Sequence, residues 1–451
     1  MITLDEYRDR RERLIRRVRE ASGAPDAAVV VQGAPRPEGH TRFRQYNDLR
    51  YLCPIETPHA YLTLHLRGDE PRSFLFLHHQ PARLVEWEGT HLSAADPDAV
   101  RAATGVDAVF DLVDLPEYLA VHRTLFVPLR PGEGAQASWN TVSAARSGLA
   151  SDPWDGRPDR SGRFAELLRR RFPAATLHDL APHLDAMRLV KSPAEVELMR
   201  RAGRLAALGV VEAMRATRPG AYEYQLEAAC RFAYLDHGAM DVSYRAVAAG
   251  GANAWYYHYL ANYAPLRDGD LVLFDCGPDL AYYASDVTRM WPVNGVYSPE
   301  QRQLYGFVLA YHAAIIERLG PGVTAEQVLA EAEERMARVV AETAWLKPAY
   351  EAAARAALGS GEHLSHPVGM AVHDVGEYKG APLAPGIVLS VDPQLRVPEE
   401  RLYVRVEDTV AITDEGCEVL TADAPYDMDE VEALLRGAPD SPFAAYRRLW
   451  A

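Results

Sequence analysis

Cysteine is scarce and scattered in this chain. The four present, Cys53, Cys230, Cys276 and Cys417, lie far apart and form no CxxC pair. That excludes a zinc ribbon or a disulfide framework and fits reduced cytosolic thiols. Positive charge is also in short supply, since 48 Lys and Arg face 63 Asp and Glu for a formal net charge of -15. A general nucleic-acid binder or a partner for acidic membrane needs basic patches, so both classes are excluded. Arginines do cluster in RDRRERLIRRVRE (8–20) and LLRRRF (167–172), at helical spacing with apolar residues between them. That pattern predicts solvated helix faces. No run approaches the roughly 18 apolar residues of a membrane span. The opening MITLDEYRDRRERL is charged from residue 5 and holds no apolar signal core, so a cytoplasmic protein is expected. Repeats and low-complexity segments are absent. What remains, over 451 residues at 48% hydrophobic and 25% charged, is an ordinary soluble protein of two to three domains.

Residues 5–21 predict an amphipathic helix. AAVVVQG (27–33), AYLTLHL (60–66), SFLFLHH (73–79) and TLFVPL (124–129) predict strands between Gly/Pro turns. GLASDPWDGRPDRSG (148–162), rich in turn residues, is expected to be loop and to begin the passage to a second domain. Beyond it, KSPAEVELMRRAGRLAALGVVEAMRA (191–216) carries the plainest helix signal, with Ser192 as N-cap, Pro193 in the first turn and Glu195 closing a capping box. Ser298 with Gln301, and Thr324 with Gln327, repeat the device. LVLFD, ASDVTRMW, GIVLSVD and YVRVEDTVAIT are the strand-like segments of this half. Helices segregated against an antiparallel sheet make an α+β pattern, with only a short tail after about residue 437.

The chemistry gathers on those strands. Asp275 ends one apolar run and Asp286 sits in another eleven residues on. Burying an ionised carboxylate costs several kcal/mol unless it is paired or bound to a cation. An antiparallel hairpin centred between Leu280 and Ala281 would set the two acids directly opposite, with Cβ atoms about 4.5–5.5 Å apart. A divalent cation between them would turn that repulsion into attraction. HLSHPVGMAVHDVG (363–376) adds His363, His366 and His373, three imidazoles within eleven positions. Asp392 ends GIVLSVD. Glu407 alternates with Arg405 on YVRVEDTV, so both can face one cavity. Oxygen donors with an imidazole suit manganese, zinc or cobalt, and two such ions activate water for hydrolysis.

The order DCG…SDVTR…LSHPVGMAVHDVG…SVDP…VRVEDT resembles the pita-bread metallopeptidases, in the aminopeptidase P and prolidase branch that cleaves Xaa-Pro bonds. RLVKSPAEVELMRRAG is similar to the first helix of that family's catalytic domain. FRQYNDLRYL and LVEWEG resemble its N-terminal, creatinase-like domain. The resemblance covers roughly residues 5–435. It implies an α+β chain: a creatinase-like α/β domain over 1–177, then a pita-bread catalytic domain over 178–451 whose curved antiparallel sheet is covered by helices. It further implies two divalent metal ions per subunit, with manganese expected and zinc or cobalt compatible. Their ligands fall on Asp275, Asp286, His366, Asp392 and Glu407, Asp286 and Glu407 bridging. Proton transfer and substrate binding fall on His258 and His373, and Tyr244 and Arg405 match supporting positions. A metal-bridged hydroxide would attack the scissile carbonyl and Asp392 would take the proton. Proline-containing peptides are the implied partners, and a homodimer or homotetramer the implied assembly.

This chain departs from the family at three places. Asp392 stands where the family has Glu, which shortens the reach by roughly 1.5 Å. Glu362 replaces the first histidine of HGLSH, with His363 one residue later as a substitute in the substrate pocket. Arg396 stands where aminopeptidase P tends to have tyrosine, and a cation there could hold a peptide carboxylate. Aminopeptidase P-like action is the expectation. A prolidase-type dipeptidase or carboxyl-end-recognising relative, a non-catalytic pita-bread binding protein and a metal-free creatinase-type hydrolase stay open as alternatives.

Overall fold

The computed structural model describes residues 2–437. It separates into two compact units, one ending at Arg188 and the next beginning at Leu189. The tail expected after about residue 437 lies outside the described residues.

The first unit is built on a six-stranded mixed sheet. Its strands are β1 (Ala27–Gln32), β2 (Tyr61–Arg67), β3 (Glu70–Leu77), β4 (Ala108–Asp111), β5 (Thr124–Val127) and β6 (Thr176–Asp179), in the order 4-3-2-1-5-6. β1, β2 and β3 run antiparallel, and β4, β5 and β6 join in parallel. Ala28, Val30, Phe76, Leu125 and Val127 from these strands close a core with Leu168. The four segments expected as strands are β1, β2, β3 and β5.

The N-terminal helix runs Leu4–Ser22, capped by Thr3 and stopped by Gly23 at φ 63°, a left-handed conformation that glycine adopts without a Cβ clash. Its arginines are not all solvated as expected. Arg10 and Arg11 are buried, and their guanidiniums donate to the carbonyls of Tyr51, Leu52 and Gly105. Charge there serves to satisfy orphaned carbonyls at helix C-termini, which an amphipathic pattern does not reveal. The segment 148–162 is also more ordered than expected and lies inside this unit. A helix Trp139–Ser151 passes through Gly148 and stops before Pro153, and Asp159 caps a second helix, Arg160–Arg171. Only the residues between are loop.

The second unit opens on the helix Pro193–Ala216, with the expected capping box of Ser192 and Glu195. Ser298 with Gln301 and Thr324 with Gln327 cap Pro299–Arg318 and Ala325–Glu342 in the same way. The strands are β7 (Asp241–Val242), β8 (Val247–Gly250), β9 (Leu271–Cys276), β10 (Pro278–Leu280), β11 (Tyr283–Ala284), β12 (Val287–Pro292), β13 (Leu364–Pro367), β14 (Val388–Val391), β15 (Gln394–Val397), β16 (Leu402–Arg405), β17 (Glu407–Ile412) and β18 (Cys417–Val419). The main sheet is a curled antiparallel one in the order 13-14-17-12-9-8, with β18 beside β17. Helices cover it, so β12 and β17 are buried along their whole length. YVRVEDTVAIT, expected as one strand, breaks at Val406. Its first part pairs with β15 and its second with β12 and β14. No helix of the described residues is long and apolar enough to cross a membrane.

One half-buried group makes the first unit sensitive to acid. His65 on β2 packs among Phe74, Tyr118 and His122 and pairs through Nδ1 with the Tyr118 hydroxyl at 2.9 Å. Burial, and then the neighbouring His122, push its pKa down from 6.5 to about 4. The unfolded chain therefore binds the proton first, so this stability is complete above the unfolded value and is lost as pH falls through the folded one. Calorimetric melting midpoints between pH ~7 and ~4 should fall less steeply for His65→Gln than for the parent chain. Parallel profiles would refute the assignment.

Candidate metal centre

The hairpin that carries the two first acids differs in register from the simple expectation. Asp275 faces Thr288 and Cys276 faces Val287. Beyond Gly277 the same register continues with Asp279 opposite Ala284. The reversal is centred between Ala281 and Tyr282, one residue later than expected. Both residues have positive φ, 53° and 76°, the signature of a two-residue primed turn. Such turns are normally announced by Asn-Gly or Asp-Gly, and Ala-Tyr announces nothing. Asp286 is therefore a diagonal neighbour of Asp275 and not its opposite. The two side chains still share one face, because 286 lies two residues from 288. Gly277 permits the crossing: a Cβ there would stand 1.8 Å from the Ser285 carbonyl oxygen. Thr409 clasps Asp286 from β17, its hydroxyl accepting from the Asp286 N–H and donating to the Asp286 carbonyl, both at 2.8 Å.

Three further strands complete the group. The Tyr244 hydroxyl lies 2.5 Å from an oxygen of Asp275 and 2.5 Å from one of Asp286, tying the two carboxylates together. Arg405, at the end of β16, donates to Asp275 and stands 3.7 Å from oxygens of both Asp392 and Glu407. Glu407 accepts from Thr288 at 2.8 Å and from Ser390 at 2.6 Å. His366 Nε2 is 3.6 Å from Asp286 and 4.0 Å from Glu407. Ligand atoms of Asp286, His366 and Glu407 all lie within 4.8 Å of one another. Asp392 is buried beside them, and its Oδ1 has no hydrogen-bond partner among the described residues.

The electrostatics of this cluster are unbalanced, with four buried carboxylates against a single guanidinium. Burial, then Glu407, push Asp286 and Asp392 well above the usual carboxylate range. Burial also raises Asp275, with Arg405 opposing. Burial works against Glu407 too, but Arg405, His366 and the two hydroxyls hold it low. His366 Nδ1 donates to the Pro367 carbonyl at 3.2 Å, which leaves Nε2 presenting a lone pair to two carboxylate oxygens. Lone pair facing carboxylate is repulsive unless a cation lies between. The orphaned Asp392 oxygen and the oxygen-rich donor set with one imidazole fit a divalent ion.

The remaining expected residues divide. His373 packs on His366 at 4.0 Å between ring centroids and faces His258 at 6.4 Å. Burial and the adjacent His366 push its pKa down to about 3, so the ring is neutral. Tyr244 and Arg405 are within the cluster. His363 and Arg396 instead line a neighbouring cleft of about 410 Å³ with Tyr257, Glu362 and Gln394. His363 is fully buried. Its Nε2 pairs with the Ala357 carbonyl at 2.7 Å and its Nδ1 accepts from the Gln394 N–H. It braces the strand and offers substrate no free nitrogen. Arg396 lies over the Trp255 and Tyr257 rings and donates to the Tyr257 hydroxyl and the Trp255 carbonyl. Sequence reasoning missed the hydroxyls of Thr288, Ser390 and Thr409. The signal was there for all three: Thr288 lies two residues after Asp286, Ser390 two before Asp392 and Thr409 two after Glu407, the spacing that puts strand residues on one face.

Comparison with known proteins finds matches in both halves of the chain. Residues 7–125 match the aminopeptidase P N-terminal domain and residues 197–414 match metallopeptidase family M24. The Xaa-Pro aminopeptidase of Escherichia coli (strain K12) is 32% identical over 463 residues, 97% of this chain and 99% of its own. That of Haemophilus influenzae is 31% identical, over 87% and 88%. Among solved structures, E. coli aminopeptidase P with the inhibitor Pro-Leu superposes with a TM-score of 0.78 at 30% identity, covering 97% of this chain and 99% of that one. The zinc-substituted enzyme in complex with product gives 0.77 at 30% over the same shares. With both domains matched in order and relatives of this kind aligned over nearly the whole length, the chain belongs to the pita-bread aminopeptidase P family of M24 metallopeptidases.

Proposed function

We propose that the chain is a divalent-metal-dependent exopeptidase that removes the residue preceding proline at the N-terminus of a peptide. The observation that carries this reading is the convergence of Asp286, His366 and Glu407 ligand atoms within 4.8 Å, in a chain aligned end to end with Xaa-Pro aminopeptidases. Asp275, Asp286, His366, Asp392 and Glu407 would hold two ions, manganese by preference, with Asp286 and Glu407 shared. Such ions, when bound, polarise a carbonyl and lower the pKa of water.

The chain's own groups then have distinct tasks. Asp392, whose Oδ1 is free of hydrogen bonds, takes a proton from the attacking water. His373, packed against His366, steadies the developing oxyanion, and His258 serves the leaving proline nitrogen. Tyr244 holds Asp275 and Asp286 at a fixed spacing. Arg405 offsets one negative charge and keeps Asp275 oriented. The four free thiols support a reducing, cytoplasmic setting. For the assembly we keep the homodimer or homotetramer that the resemblance implies, which light scattering on the purified chain decides.

The decisive experiment is a cleavage profile on Xaa-Pro, Xaa-Pro-Yaa and longer peptides with manganese added, together with metal analysis. Release of the first residue from the longer peptides is expected. Cleavage of dipeptides alone would favour the prolidase type, and no cleavage with less than about one ion per chain would sink the peptidase reading. Asp286→Ala and Glu407→Ala should each lower kcat/KM by more than ~10²–10³-fold, the worth of one transition-state charge stabiliser, and release metal. Full activity in either variant would refute the ligand assignment. Asp392→Glu is expected to bind metal as tightly as the parent or more tightly, because the shorter acid leaves an oxygen unsatisfied; a large loss of metal would show a site built for aspartate. Arg396→Ala should raise KM for all peptide lengths alike, since its guanidinium is spent on Trp255 and Tyr257. A selective loss of dipeptides would instead restore the peptide-carboxylate role.

A further inference from the structure

The histidine-rich loop is closed at its base. The Asp374 N–H donates to the Pro367 carbonyl at 2.9 Å, which brings His366 at one end of the loop against His373 at the other. The Asp374 side chain turns the opposite way, into the interior, where it meets the ammonium of Lys191 at 3.4 Å with both side chains only 1% exposed. Gly369 leaves room for this pair: a Cβ there would stand 1.9 Å from Asp374 Oδ2 and 2.9 Å from Lys191 Cε. Lys191 is itself pinned, its N–H donating to the Gly386 carbonyl at 2.8 Å and its ammonium to the Leu189 carbonyl at 3.3 Å.

Four residues along the chain, Glu195 makes a second buried contact. One of its oxygens accepts from the Ser192 N–H at 2.8 Å, closing the capping box. The other accepts from the Tyr283 hydroxyl at 2.7 Å, 88 residues away. Tyr283 flanks the primed turn of the hairpin that carries Asp275 and Asp286. The hairpin and the histidine loop also touch directly, through the Ala284 N–H and the Gly369 carbonyl at 2.8 Å. A plain helix start would need Glu195 only for its cap and would have no use for a buried lysine just before it. Burying a charge pair is weakly stabilising at best, whereas its geometry is specific.

We infer that Lys191 and Glu195 are positioning residues that join both lips of the metal centre: Lys191 sets His373 through Asp374, and Glu195 sets the Asp275–Asp286 hairpin through Tyr283. The first turn of the helix thus serves as a clamp, and the KSPAE segment is functional as well as a helix start. The first arm rests on the role of His373 proposed above; the second is read in metal binding alone.

The test uses the full chain loaded with manganese. Lys191→Met with Asp374→Asn removes the pair without leaving a lone buried charge, so the variant folds. It should lose ~10–100-fold in kcat on an Xaa-Pro-Yaa peptide, the usual cost of disturbing a group that orients a ligand, with bound metal and KM little changed. Added to His373→Ala, the same double change should cost less than about twofold more, because both act through one imidazole. Unchanged kcat in the pair variant, losses that multiply, or a His373→Ala chain as active as the parent would each overturn the Lys191 arm. A parent chain that cleaves no Xaa-Pro peptide would refute the peptidase reading and this arm with it, whereas an active parent beside an equally active pair variant refutes the clamp alone. Tyr283→Phe deletes one hydroxyl and should weaken manganese retention ~10-fold in a chelator competition. Retention equal to the parent would overturn the Glu195 arm.

Discussion

Four carboxylates and one guanidinium share a space from which bulk water is largely shut out, and the surrounding architecture answers to that imbalance. Carboxylates left to themselves at this spacing would either take up protons or push the strands apart. The fold instead supplies a rigid frame. Thr288 and Ser390 hold the two oxygens of Glu407, Thr409 clasps the backbone of Asp286, and the Tyr244 hydroxyl lies between Asp275 and Asp286. These hydroxyls remove freedom from the acids without adding charge. The net negative potential of the group suits a divalent cation.

The first unit shows what the chain does with buried charge when no cation is wanted. Arg130 and Arg188 bond there to Asp48, Glu133 and Asp185, at 2.8 Å in the closest pairs. Three acids face two guanidiniums, and burial raises Asp185 to about 7, so one acid can meet the surplus by holding a proton. The cluster in the second unit is further from balance, with one arginine for four acids, and burial raises Asp286 and Asp392 well above the usual range. The two networks use the same residue types, and their charge counts separate a structural node from a binding centre.

Much of this was legible in the chain itself. Acids inside or at the end of apolar strand-like runs are costly unless used, and that cost singled out Asp275, Asp286, Asp392 and Glu407. Capping signals located three long helices, because Ser or Thr followed by Glu or Gln acts within one turn. The failures share a different cause. Arg10 and Arg11 were misread because their partners are carbonyls some forty to ninety residues away. His363 was misplaced because adjacency to a missing histidine says nothing of which way a strand turns its side chain. The hairpin register slipped because its turn is made by Ala281 and Tyr282, whose left-handed conformation is imposed by tertiary context. Local chemistry can be read from neighbours in sequence, while direction and register depend on contacts made elsewhere.

That turn has a consequence for how the chain can vary. Side chains on a strand alternate faces, so inserting or deleting one residue between Asp275 and Asp286 would send one acid to the other side of the sheet. Non-glycine residues at positive φ each cost on the order of 1 kcal/mol or more, a cost this hairpin carries while keeping its length. The segment therefore behaves as a ruler: side chains within it can be exchanged at modest expense, but its residue count cannot. By the same logic, lineages of this chain should accumulate length changes at the exposed stretch after Ser151, and substitutions alone between the two acids.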